Sequence, residues 1–422
     1  MPDPAAQSGA PADKNWAVHH SPAIALACLQ SGRNLGDTAI LAAAIDSIRG
    51  RRPQAFLVGV TPDPDASLNA LGIAWFPLFG NGTLRLPPFA ARGSRRHGRA
   101  RVGRLRALLR VFRFVGTIDA LVFAGGGQID DFWGGASAVP FWLLVWTFCA
   151  RLRGVPVSYF GVGVDRISNQ ASRWLFLRAL SFADYRAVRD EGSRDLLLQA
   201  GLTAECDVCP DLAFSLNVAR PDTEAAPLAR HFVVVTPVSY AMWANHPDGT
   251  YERYIESLAS LCRHLIDAHG LKIRLLSTQD VMDTPAIEAV AERLPVGRLE
   301  WTVDHVSTLD AYLEIAASAD LVVSSRLHGL ILPLVMGVPV VAISPMRKMS
   351  RLMQDMALDS FCVELDDVAP DRLVDIVERA LATRSDMRRS IAERALRLRA
   401  ELDRSYDALA RRGLLGAQFD PP

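Results

Sequence analysis

Leu321-Val322-Val323-Ser324-Ser325-Arg326-Leu327-His328-Gly329-Leu330-Ile331-Leu332-Pro333-Leu334-Val335-Met336-Gly337-Val338-Pro339 reads as a strand, a charged turn and an apolar helix in direct succession. Leu321 to Ser324 runs without apolar-polar alternation, the mark of a strand covered on both faces, as in parallel sheets. The helix after it is apolar all round and is expected to be buried too. Arg326 and His328 therefore sit outside the carboxyl end of a strand, where open parallel sheets bind ligands. Core-like sequence on both sides leaves little room for idle charge, so the pair is expected to be functional.

The same rhythm extends in both directions. Phe232–Thr236, Ile273–Ser277, Leu299–Thr302 and Val340–Ile343 are further strands of this series, and Ile24–Leu29, Ala55–Val60, Leu121–Ala124, Val157–Phe160 and Tyr185–Val188 form another in the first half. Each is followed by a turn and a helix-like segment, which predicts an α/β protein with a parallel sheet in each half. At 422 residues the chain exceeds what one core supports. The expected architecture is two α/β domains with a cleft between them. Residues 1–18 are expected to be a disordered leader, 19–216 the first domain, 217–230 a linker, 231–382 the second domain, and 383–422 a C-terminal helix and tail.

Lysine plus arginine equals aspartate plus glutamate at 46 each, so overall charge points to no polyanionic partner. The six cysteines lie mostly in apolar runs, as reduced thiols of a cytoplasmic protein do, and Cys206-x-x-Cys209 lacks the second ligand pair a zinc site needs. Gly134 to Ala150 is uncharged, but its apolar part is nearer a dozen residues, which favours a buried helix over a membrane span. Arg92 to Arg113 holds nine arginines, one histidine and no acid, with Val102, Leu105, Leu108, Leu109 and Phe112 at helical spacing. Two readings fit: a helix packed on the sheet through its apolar side with solvated arginines, or a surface that docks on anionic lipid at the inner membrane face. Nucleic acid is disfavoured, because no aromatic stacking platform accompanies the arginines.

Four further strand ends carry chemistry. Asn34, Gly36 and Asp37 follow the first strand and open a helix that Asp37 can cap. Gly125-Gly126-Gly127 can present backbone N–H groups to an anion or a sugar, with Asp130 and Asp131 beside them as carboxylates for proton transfer. Phe160-Gly161-Val162-Gly163 lacks the third glycine of a dinucleotide fingerprint. Arg189 ends a strand in the first half, while Arg347 and Lys348 follow Val340–Ile343 in the second. Arg189 taken alone could simply pair with Asp190, but guanidinium groups bind carboxylate or phosphate bidentately and lysine acts as a point charge, so Arg326, His328, Arg347 and Lys348 together suit a ligand with several negative charges. His328 adds a proton donor near neutral pH.

Asn34-Leu35-Gly36-Asp37, Gly125-Gly126-Gly127, Val188-Arg189-Asp190 with Ser193, Pro210-Asp211-Leu212-Ala213-Phe214, and Ser325-Arg326-Leu327-His328-Gly329 with Gly337-Val338-Pro339 and Lys348 together resemble the polysaccharide pyruvyl transferases of bacterial exopolysaccharide and cell-wall polymer synthesis. The resemblance runs in order from about residue 24 to 360. It implies two Rossmann-like domains facing a cleft, similar to the GT-B glycosyltransferase fold, with phosphoenolpyruvate as donor, a sugar of a glycan or lipid-linked oligosaccharide as acceptor, and no required cofactor or metal. It places the acceptor with the first domain and the donor with the second. Arg326, Arg189, Lys348, Ser325, Asn34, Gly36, Gly125, Gly126 and Gly127 are the expected binding residues, His328 the general acid, and Asp130 or Asp37 the base. The family often has a tyrosine ahead of the lysine loop, where this chain has Ser344-Pro345-Met346. The alternatives are a nucleotide-sugar-dependent glycosyltransferase of the same fold and a non-catalytic glycan-assembly protein.

Overall fold

The computed structural model describes residues 21–28, 34–62, 71–79, 97–131, 134–165, 167–218, 232–239, 247, 249–295 and 300–416. The expected leader lies outside these residues, as does the expected linker beyond residue 218. By Cα packing the chain forms two compact units.

The first unit is a seven-stranded parallel sheet in the order β3-β2-β1-β4-β5-β6-β7. Its strands are β1 (Ala23–Ala27), β2 (Phe56–Thr61), β3 (Ala74–Pro77), β4 (Ala120–Ala124), β5 (Val157–Val162), β6 (Tyr185–Val188) and β7 (Asp207–Val208). Its helices are α1 (Leu35–Arg51), α2 (His97–Val115), α3 (Val139–Arg153), α4 (Gln170–Phe182) and α5 (Glu191–Ala200). β1, β4 and β5 are buried along their whole length, as expected of strands covered on both faces. β3 and β7 escape a periodicity reading because they are short and only partly covered.

α3 buries Trp142, Leu143, Trp146, Cys149 and Ala150 in this unit. Trp146 is fully enclosed, and its indole N–H donates to the Leu78 carbonyl (3.2 Å). Burial of so large a ring contributes roughly 4–6 kcal/mol as an upper estimate. Gly135–Arg153 is long and apolar enough to cross a membrane, yet this buried face makes it a wall of the core. The arginine-rich helix α2 corrects an expectation. Of the expected apolar side Leu108 and Phe112 do pack against the core, but the residues buried in it are Ala107, Val111 and Val115, while Leu105 and Leu109 face solvent. Small and β-branched residues at i, i+4 and i+8 sit closer to the sheet than leucines can.

The second unit repeats the strand order as β10-β9-β8-β11-β12-β13, all parallel. Its strands are β8 (Phe232–Thr236), β9 (Lys272–Leu276), β10 (Trp301–Asp304), β11 (Leu321–Ser324), β12 (Val340–Ser344) and β13 (Cys362–Glu364). Its helices are α6 (Thr250–His269), α7 (Asp280–Ala291), α8 (Leu309–Ala317), α9 (Leu327–Val335), α10 (Arg347–Asp355), α11 (Pro370–Ala382) and the start of α12 (Arg384–Arg411).

Packing divides the chain differently from its linear order in two places. Arg33–Ala43, the start of α1, clusters with the second unit, and the chain from Asp403 clusters with the first. The second assignment has a visible cause. Arg51 reaches Asp407 (2.6 Å) and Asp403 (3.2 Å), and Tyr406 packs edge-on against Phe160 (4.8 Å between rings).

Candidate active site

In each sheet the strand order reverses between two neighbours, β1 and β4 in the first unit and β8 and β11 in the second. These are the switch points where such sheets bind ligands.

In the second unit the switch point is closed by side-chain hydroxyls. Thr236 Oγ1 donates to Ser324 Oγ (2.6 Å), which accepts from the Arg326 N–H (3.0 Å) and donates to the Arg326 carbonyl (3.0 Å). The Tyr254 hydroxyl, from α6, accepts from the Val238 N–H (2.9 Å) and donates to Ser325 Oγ (2.8 Å). Burial pushes the Tyr254 phenol pKa well above its ordinary value, so it stays a neutral donor. Gly329 completes the turn, because a Cβ there would fall 2.2 Å from Ser324 Oγ. Ser325, expected among the binding residues, is buried and bonded into this scaffold.

Arg326 leaves the turn with its guanidinium on Asp283 of α7. Nε donates to Oδ1 (2.9 Å) and Oδ2 (3.2 Å), and Nη2 also pairs with Oδ1. Asp283 is fully buried and accepts from Ser277 Oγ (3.2 Å). Burial pushes its pKa up, and the Arg326 guanidinium works against that rise. Arg326 is thus half of an ion pair, and what it offers a ligand is oriented N–H groups more than surplus charge.

His328 lies in the first turn of α9, directly against the backbone of α1. A Cβ on Gly36 would fall 2.1 Å from its Nδ1 and 2.2 Å from its Cγ. The start of α1 is anchored here by Leu35, whose N–H donates to the Thr278 carbonyl (3.0 Å). Asn34 shapes the same turn, its Oδ1 accepting from the Gly36 N–H (3.0 Å) and its carbonyl from Thr38 (3.1 Å). Asn34, Gly36 and the buried Asp37 therefore belong with Arg326 and His328, not with the strands that precede them in sequence. Lys348 is half-buried in the first turn of α10. Neither α9 nor α10 has an acid in its first turn. Cations at helix N-termini run against the helix dipole, and an anion there would relieve them.

The first unit closes its switch point differently. Gly125 and Gly126 adopt φ of 52° and 71°, which glycine alone takes easily. Their polar groups are used internally: the Gly125 N–H donates to Phe160 (2.8 Å), and the Gly126 carbonyl accepts from Gly163 (2.7 Å). The amide of Gln128 plugs the strand ends, donating to the carbonyls of Ala27 (3.3 Å), Ala124 (3.1 Å) and Gly125 (2.5 Å). Of the three glycines expected to cradle a ligand, Gly125 and Gly126 are buried and Gly127 is half-buried. Asp131 is a structural residue, accepting from Ser168 (3.1 and 3.0 Å) and the Asn169 N–H (2.7 Å). Burial alone would raise its pKa, but these hydrogen bonds win and lower it. Asp130 beside it is half-buried.

Arg189 is buried at the end of β6, 3.4 Å from Asp190 and 3.7 Å from Asp211. Its guanidinium fits only because Gly163 has no side chain, since a Cβ there would fall 2.5 Å from Cζ. Nη2 is buried without a hydrogen-bond partner among the described residues. Sequence reading missed Asp283, Tyr254 and Gln128. Only Gln128, beside the glycine run, carried a local signal.

Two parallel sheets in the same 3-2-1-4-5-6 order, each with polar groups at its switch point, define a two-domain α/β protein of the GT-B type. Solved structures share the fold: Staphylococcus aureus MnaA with UDP (TM-score 0.57, 10% identity, covering 95% of this chain and 99% of that one) and Anabaena HepE in complex with UDP-glucose (0.57, 15%, 92% and 100%). A UDP-GlcNAc 2-epimerase from Methanocaldococcus jannaschii is similar (0.54, 10%, 85% and 92%). No curated protein matches the sequence. The family profile "Polysaccharide pyruvyl transferase" matches residues 34–345, and the chain belongs to that family of transferases.

Proposed function

We propose that the protein transfers the pyruvyl group of phosphoenolpyruvate to two hydroxyls of one sugar, in a polysaccharide or its lipid-linked precursor, forming a pyruvate ketal. The carrying observation is the placement of His328 against Gly36, beside the Arg326–Asp283 pair and at the acid-free start of α9. In this reading His328 protonates the methylene carbon of the donor. A sugar hydroxyl adds to the oxocarbenium-like carbon, a second displaces phosphate from it, and of the two hydroxyl protons released one replaces that given by His328 and one leaves with phosphate. The product is the ketal and inorganic phosphate, and no cofactor is needed.

Asp37, next to Gly36 in the same unit as His328, is the favoured base, with Asp130 the other candidate. Arg326 and Lys348 hold the carboxylate and phosphate. Arg189, whose buried Nη2 suits an anion, is a further candidate anion contact on the strength of the family pattern. Positioning and charge stabilisation supply most of the rate. The reaction is assigned to the cytoplasm, where phosphoenolpyruvate is made.

The test is thermal stabilisation by phosphoenolpyruvate against UDP-sugars. The expected result is a shift with phosphoenolpyruvate that Arg326→Ala abolishes, and that His328→Ala keeps while losing turnover. A shift with UDP-sugar alone would give the protein to the nucleotide-sugar transferases instead.

A further inference from the structure

Helices α2, α3 and α4 form one layer on the first unit. Arg104 of α2 lies over Phe141 of α3 (6.0 Å), and Arg153 of α3 over Phe112 of α2 (4.0 Å). Phe148 of α3 meets Phe182 of α4 (5.9 Å). Together the three helices carry ten arginines (six, two and two) and no aspartate or glutamate. A chain with equal numbers of acids and bases has thus gathered one sign of charge on one layer.

The same layer exposes apolar side chains. Leu105, Leu109, Phe148, Leu152 and Trp174 are 45–61% exposed, and they are five of the nine large hydrophobics exposed among the described residues. On α2, 100° per residue places Leu105 and Leu109 opposite the inward Ala107 and Val111, flanked by the exposed Arg106, Arg110 and Arg113. On α4, Trp174, Arg178 and Phe182 follow at intervals of four, with Arg178 5.7 Å over the Trp174 ring.

We infer that this layer docks the protein on an anionic lipid bilayer. A nucleic acid would use the arginines but leave five large apolar side chains in water. A second copy meeting it face to face would set the exposed Arg106, Arg110 and Arg113 against arginines of the same layer. A bilayer takes both features, with Leu, Phe and Trp entering the boundary between headgroups and acyl chains and guanidinium groups meeting phosphates. The inference does not depend on which donor the enzyme uses.

The test is co-sedimentation of the full chain with phosphatidylglycerol-containing vesicles and with phosphatidylcholine alone. Binding is expected to the anionic vesicles only and to weaken with salt. Each cation near such a surface strengthens binding roughly fivefold, so loss of three cations in R106E/R110E/R113E is expected to lower affinity by about two orders of magnitude, and the three added acids to lower it further. L105S/L109S/L152S is expected to weaken binding while leaving its salt dependence. Melting temperatures and the donor-induced thermal shift are expected to stay at wild-type values in both variants, separating loss of docking from loss of fold or of donor binding. The inference is overturned if the wild type ignores anionic vesicles at low salt, or if R106E/R110E/R113E binds as the wild type does. A concentration-dependent dimer that L105S/L109S/L152S dissolves would also overturn it, assigning the layer to a second copy.

Discussion

The two sheets share one strand order, yet their switch points are built from different materials. In the first unit backbone groups and a single amide, that of Gln128, fill the space between β1 and β4. In the second, hydroxyls and an ion pair fill it, and the turn carries a histidine pressed on a glycine. Topology fixes where a site can be, but not what it can do. Of the two turns only the second carries an imidazole.

The sharpest way to break this contrast is Gly36→Ala. The added methyl cannot coexist with the imidazole at 2.1 Å, so the ring must move. Turnover is expected to fall on the order of 10²- to 10⁴-fold, as for loss of a general acid, while the donor thermal shift survives. Normal kcat would mean that His328 does not act from this position. Next is Asp283→Asn, which strands a partly buried guanidinium. A loss of about 3 kcal/mol in denaturant unfolding is expected, with weakened donor binding.

Gln128→Leu probes the other switch point. It removes a donor from three buried carbonyls and should cost about 1–3 kcal/mol of stability with kcat unchanged. A collapse of kcat at full stability would show that the first switch point does chemistry as well.

The smallest effect is a pH dependence. The hydrogen bonds from Arg274 (both 2.8 Å) hold the Asp304 carboxyl below its usual range. A pKa depressed in the folded state contributes stability above the unfolded value of about 4 and loses it as pH falls through the folded value. Arg274→Met should therefore cost under about 1 kcal/mol at neutral pH, and the difference from wild type should vanish in acid. This partly exposed pair is the control against which the buried Arg326–Asp283 pair is measured.

Much of the fold was legible because its central strands are unbroken apolar runs whose neighbours must cover both faces. Arg326 and His328 were legible for the converse reason, as charge amid apolar sequence. What stayed hidden was long-range. Asp283 meets Arg326 across 43 residues, and Tyr254 meets Ser325 across 71. Nothing local to Asn34–Asp37 announced that this segment packs with a unit whose other residues begin at Ala213. Leu105 and Leu109 misled, although Leu108 did not, because helical spacing defines a face without fixing how far round the helix it is covered.

The membership of α12 bears on the order of synthesis. Asp403, Tyr406 and Asp407 complete the packing of Arg51 and Phe160 in the first unit, yet they are made after the whole sheet of the second unit. The second unit in turn waits for residues up to Leu402 to join a segment made near the start. Each sheet has all its strands from one stretch of chain, but each unit is completed by helical residues from beyond the other, so neither unit is finished without chain from both sides of its partner.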